Sequence, residues 1–142
     1  MAQKSTATAT GRIEAEPAAV WRVLTDPELL SQAFFGAKVE TDWRVGSPIT
    51  FTGEWNGKSF QDKGEIVTVE PDRTLGFTHY SPLSGQPDVP GNYHTVTFEL
   101  HPRDGGTELS IHQTNAGSEE EREHSAANWA RVVESVRQLA ER

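Results

Sequence analysis

A chain of 142 residues, with 35% hydrophobic and 24% charged side chains, is large enough to bury a core without disulfides or structural metals. It has no cysteine, which excludes a thiol nucleophile and thiolate metal sites, and its net charge of −8 argues against a nucleic-acid partner. No apolar run approaches the roughly 20 residues of a membrane span, and the first ten residues lack the apolar stretch of a secretory signal. The expectation is a cytoplasmic protein with one domain over residues 1–142, of which 1–7 are a flexible lead.

Residues 6–14 alternate weakly and predict an opening strand. Pro17 suits a first helical turn, and Val20, Trp21, Val23 and Leu24 supply the apolar set of a short helix. Asp26 caps a second short helix that starts at Pro27 and buries Leu29, Leu30 and Ala33. This helix stops at Phe34-Phe35-Gly36, where glycine supplies a left-handed end.

From residue 37 to residue 115 the apolar period is two. Val39, Thr41 and Trp43 form one inward row, and Ile49, Phe51 and Trp55 another. Asn56-Gly57 predicts a two-residue hairpin before Lys58. Residues 64–70 predict a strand that ends at the Pro71-Asp72-Arg73 turn. Leu75, Phe77 and His79 share a face of the next strand, and Val96, Phe98 and Leu100 a face of the one after. Asp104-Gly105-Gly106 turns the chain back through Leu109 and Ile111. Linked hairpins of this kind predict an antiparallel meander with one buried face.

Ser118-Glu119-Glu120-Glu121 is a capping box, and its acidic residues suit the positive end of a helix dipole. Behind it Ala126, Trp129, Val133, Val136 and Ala140 recur at helical spacing over about 24 residues, or about 35 Å of helix. Such a stripe needs an apolar partner, and the sheet provides one. The fold class is therefore α+β: a curved antiparallel sheet with two short helices and one long C-terminal helix.

Of the five histidines, none is spaced as a metal motif, and no metal or cofactor is expected. His79 and His94 share the inward parity of their strands, so each can offer a polar contact inside an apolar space. Tyr80 and Tyr93 have the outward parity. No nucleophile elbow, phosphate loop or dinucleotide fingerprint is present, and no catalytic residue is assigned. The stretch 81–92, rich in proline and glycine, is longer than a hairpin requires.

The ordered set Pro17-Ala18-Ala19-Val20-Trp21, Leu24-Thr25-Asp26-Pro27, Val45-Gly46, Gly64-Glu65-Ile66-Val67, Glu70-Pro71 and Gly105-Gly106-Thr107-Glu108-Leu109, closing with Asn128-Trp129, resembles the START-like (SRPBCC) superfamily. Within it the chain is similar to bacterial stand-alone homologues of the heat-shock-protein-90 ATPase activator domain. The resemblance implies a helix-grip fold with a cavity between sheet and long helix. Members carry lipids, sterols, polyketides or hormones, and a minority catalyse cyclisation or hydrolysis. Where the family often ends the second short helix in a Trp-Trp-Gly-like sequence, this chain has Phe34-Phe35-Gly36. The separate N-terminal domain of the eukaryotic co-chaperone has no counterpart here, so chaperone activation is a lesser expectation than ligand binding.

The candidate ligand-binding residues are Phe34, Phe35, Phe51, Trp55, Phe77, His79, His94, Val96, Ile111, Trp129 and Val133. They would hold a small apolar molecule, lipid-like, aromatic or polyketide-like, with the two histidines as polar handles. The alternatives are an enzyme of the polyketide-cyclase or hydrolase kind and a module that binds a chaperone. The open edges of the sheet also make a homodimer an expectation.

Overall fold

The computed structural model describes residues 6–55, 57–82 and 85–142, without the side chain of Trp55. The elements in chain order are β1 (Ala7–Ile13), α1 (Pro17–Thr25), α2 (Pro27–Ala33), β2 (Lys38–Glu40), β3 (Pro48–Trp55), β4 (Lys58–Glu70), β5 (Thr74–His79), β6 (His94–Arg103), β7 (Gly106–Gln113) and α3 (Glu119–Ala140). The seven strands form one sheet in the order β1-β7-β6-β5-β4-β3-β2, and every neighbouring pair is antiparallel. This is the α+β helix-grip arrangement: an open curved sheet laid around a long C-terminal helix.

The turns form where their residue types require. Asp104 and Gly105 both have positive φ, 51° and 82°, between the paired residues Arg103 and Gly106. This is the geometry of a two-residue hairpin matched to strand twist. Trp55 pairs with Lys58 across the predicted hairpin, and Gly57 has a φ of 77°. Asn56, the other residue of that turn, lies outside the described residues.

Strand β4 is longer than predicted. The alternation predicts a strand only over 64–70, whereas the structure runs one strand of 13 residues from Lys58. Its ladder with β3 spans Lys58 to Glu65, its ladder with β5 starts at Ile66, and Lys63 also bridges to Tyr80. Gly64 lies where the two sides overlap. A Cβ there would lie 1.7 Å from the carbonyl oxygen of Thr78. The neighbouring Glu65 N–H donates to Thr78 Oγ1 at 2.9 Å in place of a ladder partner. The backbones approach this closely because residue 64 has no side chain.

One predicted strand is shorter than expected. The alternation Val39, Thr41, Trp43 gives only three strand residues, Lys38–Glu40. Beyond them Thr41 Oγ1 accepts from Trp43 N–H and Asp42 Oδ1 from Arg44 N–H, and Trp43 has a φ of 61°. Side-chain acceptors close to the backbone compete with the ladder, and here they win.

Helix α3 spans 22 residues and buries Val132, Val133 and Val136. Its N-terminus is capped as the sequence predicts: Glu121 N–H donates to Ser118 Oγ at 3.1 Å. Glu121 Oε1 reaches one residue further back than a simple capping box and accepts from Gly117 N–H at 3.0 Å. The helix lies tight on β1, where a Cβ at Gly11 would stand 2.6 Å from Val133 Cγ1. At the far end Glu141 accepts from the Glu14 N–H at 2.7 Å, and Arg137 links Glu141 to Glu134. Among the described residues no helix is long and apolar enough to cross a membrane.

Two measurements test this account. Gly64→Ala should lower stability by roughly 2 kcal/mol or more in urea unfolding, because backbone must move to admit the methyl. Gly91→Ala, with nothing within 4 Å of its Cβ, should change it by less than about 0.5 kcal/mol. Separately, hydrogen bonding to Arg137 holds the Glu134 carboxyl at about 2, below its ordinary 4.5. A depressed carboxyl stabilises the fold above its unfolded value and loses that contribution as pH falls through its folded one. The urea midpoint of the native protein should therefore exceed that of Glu134→Gln at pH 6, and the gap should close between pH 4.5 and about 2.

Candidate functional site

Helix α2 ends where the chain must turn from the helix layer down to the sheet edge. Asp26 Oδ1 caps its start, accepting from the N–H groups of Glu28 and Leu29 at 2.9 and 3.2 Å. At its end Phe34 N–H is still bonded to the Leu30 carbonyl, and Gly36 N–H folds back onto Ser31 O at 2.7 Å. Both Phe35 and Gly36 are left-handed, with φ of 59° and 91°. Sequence reading assigned that conformation to the glycine alone. A bulky aromatic in this region is strained, and Phe35 is 64% exposed.

This corner sends the two phenylalanines in different directions. Phe34 points between sheet and α3, where its ring stacks on Phe51 (centroids 5.8 Å apart, planes within 8°) and on Phe98 at 6.4 Å. It also meets Trp129 edge-on at 5.8 Å. Phe98 meets the same tryptophan at 5.9 Å, and Phe77 bridges Phe51 and Phe98 at 5.5 and 6.1 Å. The interior is thus occupied by a connected group of rings, each contact contributing about 0.5–1.5 kcal/mol beyond area burial.

The open space lies beside this ring group, in two clefts. One, of about 300 Å³, is bounded by Phe34, Phe35, Ala37, Gly53, Phe60 and Asp62. The other, of about 160 Å³, is bounded by Phe34, Phe35, Gln113, Asn128, Trp129 and Val132. Phe34 and Phe35 are common to both and form the partition between them.

Two polar pairs border the site. Trp129 Nε1–H donates to Gln113 Oε1 at 2.7 Å, so the buried amide of Gln113 fixes the indole beside the smaller cleft. His79 Nε2 lies 2.9 Å from Asp62 Oδ2, and its ring packs edge-on against Phe51 at 5.5 Å. The His94 ring lies 6.5 Å from that of His79, and its Nδ1 is 2.8 Å from the Thr114 carbonyl. Asp62 Oδ1 is buried and has no hydrogen-bond partner among the described residues.

Of the residues picked from the sequence, Phe34 and Phe35 line both clefts and Trp129 the smaller one, with Phe51, Phe77 and His79 immediately behind. His94 is connected through His79. Val96, Ile111 and Val133 are buried in the core, Val133 against Gly11 at the β1 side, and they line neither cleft. The Trp55 side chain lies outside the described residues. Asp62, Phe60, Gln113 and Phe98 were not among the candidates. A signal was available: Phe60 and Asp62 share the parity of inward Ile66, and Gln113 that of Ile111 and Leu109.

The described part of the 81–92 loop lies on the opposite face of the sheet. Tyr80 Oη donates to the Gln86 carbonyl at 2.6 Å and stacks on Tyr93, whose hydroxyl donates to Asp88. Lys63 pairs with Asp88 at 2.5 Å, and this hydrogen-bonded contact holds the aspartate below the usual carboxylate range. The outward parity of both tyrosines is therefore as the sequence implies, and their loop is tied down away from the clefts.

A curved sheet gripping a long helix, with two short helices at its mouth, defines the START-like class. The family model described as Activator of Hsp90 ATPase homolog 1-like protein matches residues 14–141, and the chain belongs to that family. The solution structure of ChR145 from Cytophaga hutchinsonii is similar at 38% identity, with a TM-score of 0.85 over 99% of this chain and 97% of that one. The Aha1 dimer from Colwellia psychrerythraea shares the fold at 17% identity, with a TM-score of 0.74 and 96% of each chain covered. DynU16, a protein of the dynemicin biosynthetic locus, does so at 19% identity and a TM-score of 0.77, over 95% of this chain and 46% of that one. Curated proteins gave no match.

The strained corner generates a prediction. Phe35→Asn, which suits a left-handed backbone, should raise stability by up to about 1 kcal/mol in thermal unfolding, since the lost ring is mostly in solvent.

Proposed function

We propose that the chain binds a small apolar molecule, aromatic, lipid-like or polyketide-like, at the mouth of the sheet–helix interface, with Phe34 as a movable plug. The carrying observation is that two clefts of about 300 and 160 Å³ share a partition made of Phe34 and Phe35. The first is half-buried and the second is strained and exposed. Rotating one ring outward joins the clefts into a space lined by Phe51, Phe98 and Trp129, and a ligand ring can take the place of Phe34. Ligand pockets of this kind are mostly apolar with few polar groups, which fits the pairs Asp62–His79 and Trp129–Gln113.

A cyclase-like or hydrolase-like reading draws support from the same Asp62–His79 contact, because a carboxylate beside an imidazole is a common acid–base pairing. On that reading, replacing His79 and His94 removes turnover and spares binding. The chaperone-binding reading has less to stand on. Among the described residues the exposed large apolar side chains are Phe35, Val45, Val67 and Val89, from four different segments.

Native mass spectrometry of the freshly purified protein, compared with the denatured sample, should show a mass excess that disappears on denaturation. Phe34→Ala should take up a naphthalene-sized probe more tightly than the parent chain. Trp129→Ala should weaken uptake more than it lowers stability, and equal losses would return Trp129 to the plain core. A clean apo mass together with no probe uptake by Phe34→Ala would sink the binding reading.

A further inference from the structure

Resting on the binding reading above, we infer that the larger cleft selects a neutral or cationic aromatic molecule that carries an O–H or N–H donor, and that Asp62 Oδ1 receives it. Three observations converge on this. Asp62 borders the cleft together with Phe34 and Phe60, and because its Oδ1 is itself covered, a donor reaches that oxygen as a bounding side chain moves aside. Its Oδ1 is buried without a partner among the described residues, and a buried acceptor is unfavourable until a donor reaches it. Its other oxygen is engaged by His79 Nε2 at 2.9 Å, and His79 is packed between Phe51 and His94. The carboxyl is thus held in one orientation before any ligand arrives, which lowers the ordering cost of binding.

Charge narrows the class further. The ionisable residues among the described lining are Asp62 and Glu54, both acidic, in a chain of net charge −8. A carboxylate-bearing ligand such as a fatty acid would bring a third negative charge to a site with no cation on its described walls. A phenol or an amine brings the complementary group. Phe51 lies opposite Asp62 across the β3–β4 ladder, which places the donor end of the ligand deep and its rings toward Phe34.

Three probes of one skeleton test this on the native protein by fluorescence titration: 2-naphthol, 2-methoxynaphthalene and 2-naphthoate. The first should bind about ten-fold or more tighter than the second, as for a hydrogen bond to a charged acceptor, and the third should be weakest. In Asp62→Asn, equal in size but uncharged, the preference for naphthol should shrink to within about three-fold. Equal binding of naphthol and its methyl ether by the native chain overturns the donor assignment and leaves the binding reading intact. An undiminished preference in Asp62→Asn overturns the role of Asp62. If none of the three binds the native chain, the aromatic-donor assignment falls, while the binding reading is decided separately by native mass spectrometry and by uptake in Phe34→Ala.

Discussion

The space between the curved sheet and α3 has to be filled, and in this chain the ring of Phe34 fills it. A 22-residue amphipathic helix cannot leave its apolar stripe in water, and a concave sheet cannot close onto it without leaving a gap along the long axis. At the β1 side the gap vanishes because Gly11 lets Val133 approach to contact. At the opposite side the helix stands away from β3 and β4, and the side chain that enters there comes from neither layer. Phe34 comes from the corner after α2, and its contacts with Phe51, Phe98 and Trp129 link three separate elements through one ring.

The left-handed pair at Phe35 and Gly36 follows from that insertion. For Phe34 to face inward and the chain still reach β2 four residues later, the backbone has to reverse sharply, and an aromatic residue is left in a conformation suited to glycine. Strain of this kind persists only where the surroundings impose it. Here they do so at the mouth of the two clefts that Phe34 and Phe35 share. At Gly64 strand β4 comes close to the Thr78 backbone, and the adjoining Lys63–Tyr80 bridge sets Asp62 and His79 side by side.

Family membership and site chemistry are separate matters in this protein. The family match over residues 14–141 and the fold shared with the Colwellia dimer and DynU16 concern the scaffold. The Phe34 plug and the half-satisfied Asp62 concern what a particular cavity accepts. Superfolds host many ligands on one scaffold, so the chemistry has to be argued from the residues that line the clefts.

Much of this was legible along the chain. The caps at Asp26 and Ser118, the turns at Asp72 and Asp104-Gly105 and the strand parities each depend on a few adjacent residues and basic stereochemistry, and each is found in place. Parity also sent His79 and His94 inward and both tyrosines outward. The strand at Val39 ends early, because local side-chain acceptors replace the ladder beyond Glu40, although Trp43 still packs on the core. The strand at β4 begins earlier than parity showed, in its polar first half. Which residues meet across the layers was not legible. Val96, Ile111 and Val133 share inward parity with true cleft neighbours yet pack where no space remains. Asp62 and His79 are 17 residues apart, and they meet because the chain pairs back on itself there, with Lys63 bridged to Tyr80 beside them. Periodicity decides which face a side chain takes. Whether that face opens on a cleft or on another ring depends on how closely the two layers approach, which Gly11 permits at the β1 side and the Phe34 ring limits at the other.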